Sequence, residues 1–248
     1  MRMLFYDIEN APILGYVWEA YDANLLHTVE DWYLLSVSYS WGLDGEVRFL
    51  RKGHKKGDDE ALARRVWRLL DEADVVVAHN GDAFDSKKLA VRFLHYGLGP
   101  PSPYRQIDTL KEARRHFKFA KNNLDDLGRF LGVGQKVANQ GMATWLGCMA
   151  NRPDDWAVME EYGNQDVELL REVYKRLLPY VGHPGRPSPG VNMQQWTGLN
   201  TCTKPACGSD QIHKRGRHRT QANVYQTYQC NTCGGYSRAL LRDDGRMR

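Results

Sequence analysis

Met3-Leu4-Phe5-Tyr6-Asp7-Ile8-Glu9 is a short apolar run that closes on two carboxylates. Its alternation reads as a strand, with Met3, Phe5, Asp7 and Glu9 on one face and Leu4, Tyr6 and Ile8 on the other. Apolar residues on both faces place such a strand in the middle of a sheet. Asp7 and Glu9 then leave its end on the same side. Burying two like charges together is costly unless something cationic sits between them. A divalent metal meets that need, so the rest of the chain has to supply further ligands.

The 248 residues have room for one large core, or a core plus a small satellite domain. A hydrophobic content of 42% and a charged content of 26% are ordinary for a globular protein. No apolar run approaches the roughly 18 residues of a membrane span. Asp7 interrupts the first apolar run, so no secretory signal is visible. The expectation is an intracellular, cytoplasmic protein, a phage protein acting in its host's cytoplasm included. Its five cysteines are then not structural disulfides. The formal charge of +4 hides an asymmetry, because residues 183–248 hold ten Lys and Arg against three acids. The preceding 182 residues hold 24 against 27. A basic tail on a weakly acidic body points to an anionic partner, nucleic acid being the commonest. A merely solubilising surface is the bland alternative.

After the first strand, residues 11–33 are aromatic-rich and read as irregular. Leu34 to Trp41 and Glu46 to Leu50 read as two further strands around the Asp44-Gly45 turn, giving three antiparallel strands. Arg51 to Gly57 is a basic loop, and a helix with Leu62, Val66, Leu69 and Leu70 on one face follows Asp58-Asp59. Asp74 to Ala78 is a short buried strand, expected parallel to the first. His79-Asn80-Gly81 reads as a turn, then a helix capped by Asp82 and running to about Tyr96. Asp108 reads as a helix cap, and Asn123 to Leu131 as a helix stopped by Gly132 and Gly134. Residues 153–181 carry the longest helical pattern, with Pro153 in its first turn. The sequence H-P-G-R-P-S-P-G from His183 to Gly190 suits neither helix nor strand and reads as a linker. The expected division is residues 1–182, a linker over 183–197, and a small basic domain over 198–248.

The long helix brings a third carboxylate. Asp166 lies on the apolar stripe of Leu169, Leu170, Val173 and Leu177, with Tyr162 one turn before it. An ionised Asp aimed at a core is rarely left unpaired; reaching an arginine or a helix N-terminus is the structural alternative. Asp85, in line with Leu89, Phe93 and Tyr96, is a fourth inward acid, though a first-turn acid can be a mere dipole contact. Four oxygen ligands from three elements suit one or two Mg²⁺ or Mn²⁺ ions.

These residues resemble the motifs of the DEDD superfamily of 3′–5′ exonucleases, which includes proofreading domains of DNA polymerases and ribonuclease D. D-x-E matches Asp7 and Glu9, N-x-x-x-F-D matches Asn80 to Asp85, and Y-x-x-x-D matches Tyr162 to Asp166. Tyr162, with Glu161 where a second subgroup has His, is similar to the tyrosine subgroup. Asn10 departs from the Thr that many relatives carry there. The resemblance implies an α/β, RNase H-like mixed sheet, three antiparallel strands then parallel ones, flanked by helices. It implies two metal ions, Asp7 bridging both, Glu9 and Asp166 on the nucleophile side and Asp85 on the second ion. Tyr162 would orient the attacking water, since tyrosine with a pKa of about 10 is a poor base at neutral pH. Asn80 and Phe84 would contact the terminal base and sugar, Phe84 being equally readable as core. Lys87, Lys88, Lys118 and Lys121 can meet phosphates but look the same as a solvated face.

Cys202, Cys207, Cys230 and Cys233 form two pairs, C-x₄-C and C-x₂-C, each beside glycine. Four thiolates from two turns suit one structural Zn²⁺. Val224 to Gln229 alternates like a strand between the pairs. The pattern resembles a zinc ribbon of the kind seen in transposase-like and phage proteins, with x₄ in place of the usual x₂ and His213 and His218 as alternative ligands. Lys214, Arg215, Arg217 and Arg219, with Tyr225 and Tyr228, give a basic, aromatic surface suited to a nucleic-acid strand; docking to a protein is the alternative. Cys148, among Trp145, Leu146 and Met149, reads as a buried small hydrophobe.

The sequence therefore predicts a metal-dependent 3′–5′ exonuclease releasing nucleoside monophosphates, DNA favoured over RNA, with a ribbon that holds nucleic acid. A polymerase or replication partner is compatible with it. An RNase H-like endonuclease and a catalytically inactive recruitment protein are the competing expectations.

Overall fold

The computed structural model describes residues 2–21, 24–137, 141–180, 201–203, 207–219 and 224–241. The expected linker, residues 183–197, lies outside the described residues. The chain divides into two compact units, Arg2–Lys175 and Arg176–Arg248.

In the first unit the strands are β1 (Met3–Asn10), β2 (Leu14–Tyr16), β3 (His27–Glu30), β4 (Leu34–Trp41) and β5 (Val47–Arg51). Helix α1 (Glu60–Asp71), β6 (Val75–Ala78), α2 (Asp85–His95), β7 (Arg105–Asp108) and α3 (Thr109–His116) follow. Helices α4 (Leu124–Leu131), α5 (Met142–Met149) and α6 (Pro153–Leu177) complete the run, α6 passing the division between the units. The main sheet has the order β5-β4-β1-β6-β7. β4 is antiparallel to both β1 and β5, while β6 runs parallel to β1 and β7. This is the mixed, helix-flanked α/β sheet expected from the sequence.

β1 is central for the reason its sequence suggests, because both faces find apolar cover. Leu4, Tyr6 and Ile8 pack with Leu62, Val66 and Leu70 of α1 and with Leu89 and Phe93 of α2. On the opposite face Phe5 meets Tyr174 of α6 edge-on, centroids 5.4 Å apart. Each such side chain contributes roughly 1.5–3 kcal/mol on burial. Asp59, fully buried before α1, accepts from the N–H of Leu34 at 2.7 Å and from Arg92 of α2 and Tyr96 just after it. One carboxylate so ties β4 to both helices of that layer.

The helix α6 comes unusually close to the sheet. Ser36, Ser38 and Ser40 alternate along β4 and are buried, giving α6 a row of small hydroxyls. Gly163 lies against that row, and a Cβ there would come within 2.6 Å of the Ser38 Oγ. The Ser38 hydroxyl donates to Asn164 at 3.1 Å.

Two local expectations are corrected, and one helix is added. Residues 11–33 contain a two-stranded hairpin, β2 with β3, rather than irregular chain alone. Asp82 does not cap α2, which begins at Asp85 after Phe84 without a side-chain cap; Asp82 pairs with Lys111 instead. Helix α5 was not foreseen, because its apolar sequence carries no polar face to set a period. Asp108 does cap α3, accepting from Leu110 and Lys111.

The second unit carries β8 (Ile212–Arg219), β9 (Val224–Cys230) and β10 (Tyr236–Leu240), an antiparallel sheet in the order β10-β9-β8. Its core is small, Tyr228 and Ala239 with Ile212 against them. Among the described residues no helix is long and apolar enough to cross a membrane.

Candidate metal centres

β6 pairs with β1 only from Met3 to Phe5. Beyond that point the carboxylate of Asp85 accepts the N–H of Ile8, so the start of α2 fills the edge that β6 leaves open. Asp7 and Glu9 flank Ile8. In register with Asp7 across the sheet is Ser38, the residue on which Gly163 and Asn164 of α6 rest. The close approach of α6 therefore delivers Tyr162 and Asp166 to the end of β1. Asp7, Glu9 and Asp166 each offer a carboxylate oxygen within 4.8 Å of the others. Asp85 stands outside that set, yet near enough to raise the pKa of Asp7.

The electrostatics are those of a site short of positive charge. Burial, then Asp85, Glu9 and Asp166, hold Asp7 well above the usual carboxylate range. Burial and the neighbouring Asp166 push Glu9 up to about 8. Asp85 is pushed up to about 7 by burial, against the N–H groups that favour its charge. Asp166 is 1% exposed and also raised by burial, and its Oδ1 has no hydrogen-bond partner among the described residues. Three hard oxygen donors, one of them orphaned, fit a divalent ion such as Mg²⁺ or Mn²⁺.

Two residues here carry no sequence signal. Lys136, in the loop after α4, sets its ammonium 2.5 Å from the Asp166 Oδ2 and 3.2 Å from the Tyr162 hydroxyl. It lowers the pKa of Asp7, Glu9 and Asp166 and has its own raised above the ordinary lysine value, despite burial, by Asp166. Nothing in Gly134-Gln135-Lys136 foretells a partner 30 residues on. Trp145 of α5 hydrogen-bonds the Glu9 carboxylate and meets the Tyr162 ring edge-on at 6.1 Å. Burial and Asp166 push Tyr162 up to about 12.

Asn80 and Phe84 lie in the turn that leads from β6 into Asp85. Asn80 has φ 64°, an uncommon but tolerated value for Asn. Its N–H and that of Asp82 are held by Asp108 at 2.9 and 3.3 Å, so the cap of α3 also fixes the loop before Asp85. The Phe84 ring is 44% exposed, which excludes the core reading. On the Glu9 side an open pocket of about 290 Å³ is lined by Asn10, Pro12, Gly141, Met142 and Trp145. Both polar atoms of the Asn10 amide are buried there without a partner among the described residues.

In the second unit Cys202, Cys207, Cys230 and Cys233 bring their sulfurs within 4.8 Å of one another. Cys202 and Cys233 are 3.5 Å apart and Cys207 and Cys230 3.7 Å apart, against roughly 2.05 Å in a disulfide. Four ligands at a Zn–S distance of about 2.3 Å have tetrahedral edges of about 3.8 Å. Against burial, the N–H groups of Cys233 and Thr232 lower Cys230 to about 6, favouring the thiolate. His213 is exposed and stands outside the set, and the side chain of His218 lies outside the described residues. Lys214, Arg215 and Arg217 are exposed on β8; Arg219 is on the same strand, its side chain outside the described residues. Tyr228 is 6% exposed and packs in the small core, which removes it from the expected stacking surface. Cys148 is buried, as expected.

Residues 4–178 match the family described as the RNase_H superfamily. Among solved structures, the family B DNA polymerase from the hyperthermophilic archaeon Pyrobaculum calidifontis is similar, with 20% identity and a TM-score of 0.53. The match covers 72% of this chain and 24% of the polymerase, so the chain spans about a quarter of that protein. No curated protein matches the sequence.

Proposed function

The chain belongs to the RNase H superfamily, and on that premise we propose that it is a metal-dependent 3′–5′ exonuclease of the DEDD type, tyrosine subgroup. The observation that carries the reading is the joining of Asp7, Glu9 and Asp166 within 4.8 Å beside Tyr162. Asp7, Glu9 and Asp166 would hold one Mg²⁺ or Mn²⁺, and Asp7 with Asp85 a second. Divalent ions held there would stabilise the charge on the attacking and leaving oxygens of a phosphodiester.

The protein's own groups have separable tasks. Trp145 fixes the Glu9 carboxylate by donating to it. Tyr162, its pKa at about 12, stays protonated at neutral pH and orients water rather than accepting its proton. Lys136 holds the Tyr162 oxygen and offsets part of the carboxylate charge. The pocket of Asn10, Pro12, Met142 and Trp145 would take the terminal nucleoside, with Asn80 on the other side and Phe84 between it and the preceding base. The cysteine cluster would hold one structural Zn²⁺, and β8 would present Lys214, Arg215, Arg217 and Arg219 to nucleic acid. In domain terms, residues 1–182 would be the nuclease and 198–248 a zinc ribbon that raises local substrate concentration.

Matched 3′-labelled DNA and RNA oligonucleotides test this. Stepwise release of mononucleotides in Mg²⁺ or Mn²⁺, faster on DNA and abolished by Asp7→Ala or Asp85→Ala, is the expected result. Equal cutting of circular or 3′-blocked substrate would replace the exonuclease with an endonuclease.

A further inference from the structure

Sequence leaves Lys87, Lys88, Lys118 and Lys121 equivalent, and the structure separates one from the rest. Lys121 approaches Asp126 at 3.9 Å, and Lys87 and Lys118 are exposed. Lys88 instead lies with its Nζ 3.8 Å from the ring centroid of Trp32 and 5.7 Å from that of Phe84. Asp31 attracts this ammonium without forming an ion pair among the described residues. Phe84 and Lys88 are four residues apart, so they share one face at the start of α2. Trp32 reaches them from the chain between β3 and β4. Phe84 directly precedes Asp85, so this cationic, aromatic surface starts where the carboxylate site stops.

We propose that Trp32, Phe84 and Lys88 form a ledge for the single strand upstream of the scissile phosphate, with Lys88 on a backbone phosphate and Phe84 against a base. This rests on the exonuclease reading: there the leaving oxygen belongs to the retained strand and lies on the Asp85 side, so that strand departs past Phe84. Phe84 is exposed and Trp32 half-buried, and an exposed ring beside a cation is a means by which single strands are held without regard to sequence. An ammonium resting on ring faces is also free to exchange that weak contact for a stronger, charge-assisted bond to phosphate. The rival account is that the Lys88 stem merely covers Trp32. Replacement by methionine keeps such cover and removes the charge, so the two accounts part.

The test is anisotropy titration of the full chain with a fluorescent single-stranded DNA 12-mer, in Ca²⁺, across a range of salt. Lys88→Met is expected to weaken binding several-fold and to flatten the slope of log affinity on log salt by about 0.7, one phosphate contact on a single strand. Lys88→Arg should keep the slope, and Lys87→Met should match the wild type. Phe84→Ala should weaken binding by roughly tenfold without changing the slope. Parallel slopes for wild type and Lys88→Met overturn the ledge. Wild-type hydrolysis of the p-nitrophenyl ester of thymidine 5′-monophosphate, which has no upstream strand, is read separately. If the ester and DNA are both hydrolysed and the slope is unchanged, the ledge falls and the nuclease stands. If neither is hydrolysed and the slope still drops, the nuclease reading falls, and with it the ledge's place beside a scissile phosphate, while the strand-binding surface itself stands.

Discussion

The carboxylate cluster and the cysteine cluster are both candidate metal centres, but they relate to their surroundings in opposite ways. Asp7, Glu9, Asp85 and Asp166 project from elements held by a large apolar core. That unit has other means to fold, and the like charges strain it. The four cysteines gather beside a three-stranded sheet whose core, among the described residues, is Tyr228 and Ala239 with Ile212. So small a core leaves the metal to supply most of the folding free energy. One site would be a cost borne by its fold for chemistry; the other would be the reason its fold exists.

The largest effect should come from breaking the cysteine site. Cys230→Ser, or a strong zinc chelator, is expected to unfold residues 198–248, with about 10 kcal/mol of metal-linked folding energy at stake. Limited proteolysis should then degrade that region while residues 1–175 resist. If both units melt together, the contrast is wrong.

The carboxylate site should respond in the reverse way. Asp7→Asn is expected to cut nucleotide release by at least about a thousandfold, equivalent to roughly 4 kcal/mol, while circular dichroism of the folded unit is retained. Collapse of the fold by this change would mean Asp7 is structural.

Next in size is a change that touches no ligand. Gly163→Ala places a methyl against Ser38 and must push α6 off β4. A shift of a few tenths of an ångström to 1 Å at Tyr162 and Asp166 should cost roughly 10- to 100-fold in rate. The pairing of Gly163→Ala with Ser38→Gly should restore part of it, and absence of any rescue would place the fault elsewhere.

The smallest effect is thermodynamic. Glu9 at about 8 and Asp85 at about 7 lie above their ordinary values, so the folded unit binds more protons than the unfolded chain. The stability this lends is fully present below about pH 4 and is lost as pH rises through 7 and 8. Without metal, the melting temperature of the first unit should therefore fall between about pH 5 and pH 8.5, and added Mg²⁺ or Mn²⁺ should restore more at each step. Glu9→Gln should flatten that trend and raise the metal-free midpoint by a few degrees, for about 1–2 kcal/mol. A midpoint that rises with pH would reverse the electrostatic account.

Much of this was legible along the chain. The alternation of Met3 to Ile8, the apolar Val75 to Ala78 and the long pattern from Pro153 each report a local period that the tertiary fold respects. The cysteine pairs were legible because spacing alone brings thiolates together. The misread places are those where local preference was weak or overridden. Asp82 is a good cap by type, but Lys111 and the Asp108-held loop claim its neighbourhood. Tyr228 resembles Tyr225 in sequence, and only the facing of β9 sends it into the core.

By itself, then, the sequence determined the strand that carries Asp7 and Glu9, the helices that carry Asp85 and Asp166, and the antiparallel run of the first strands. These follow from periodicity and turn chemistry, which act between residues close in the chain. Tertiary structure alone decided that Lys136 neutralises Asp166, that Trp145 holds Glu9, and that Lys88 rests on Trp32. Each of those contacts joins different elements, and no local pattern encodes a meeting that depends on how closely α6 and α2 lie on the sheet.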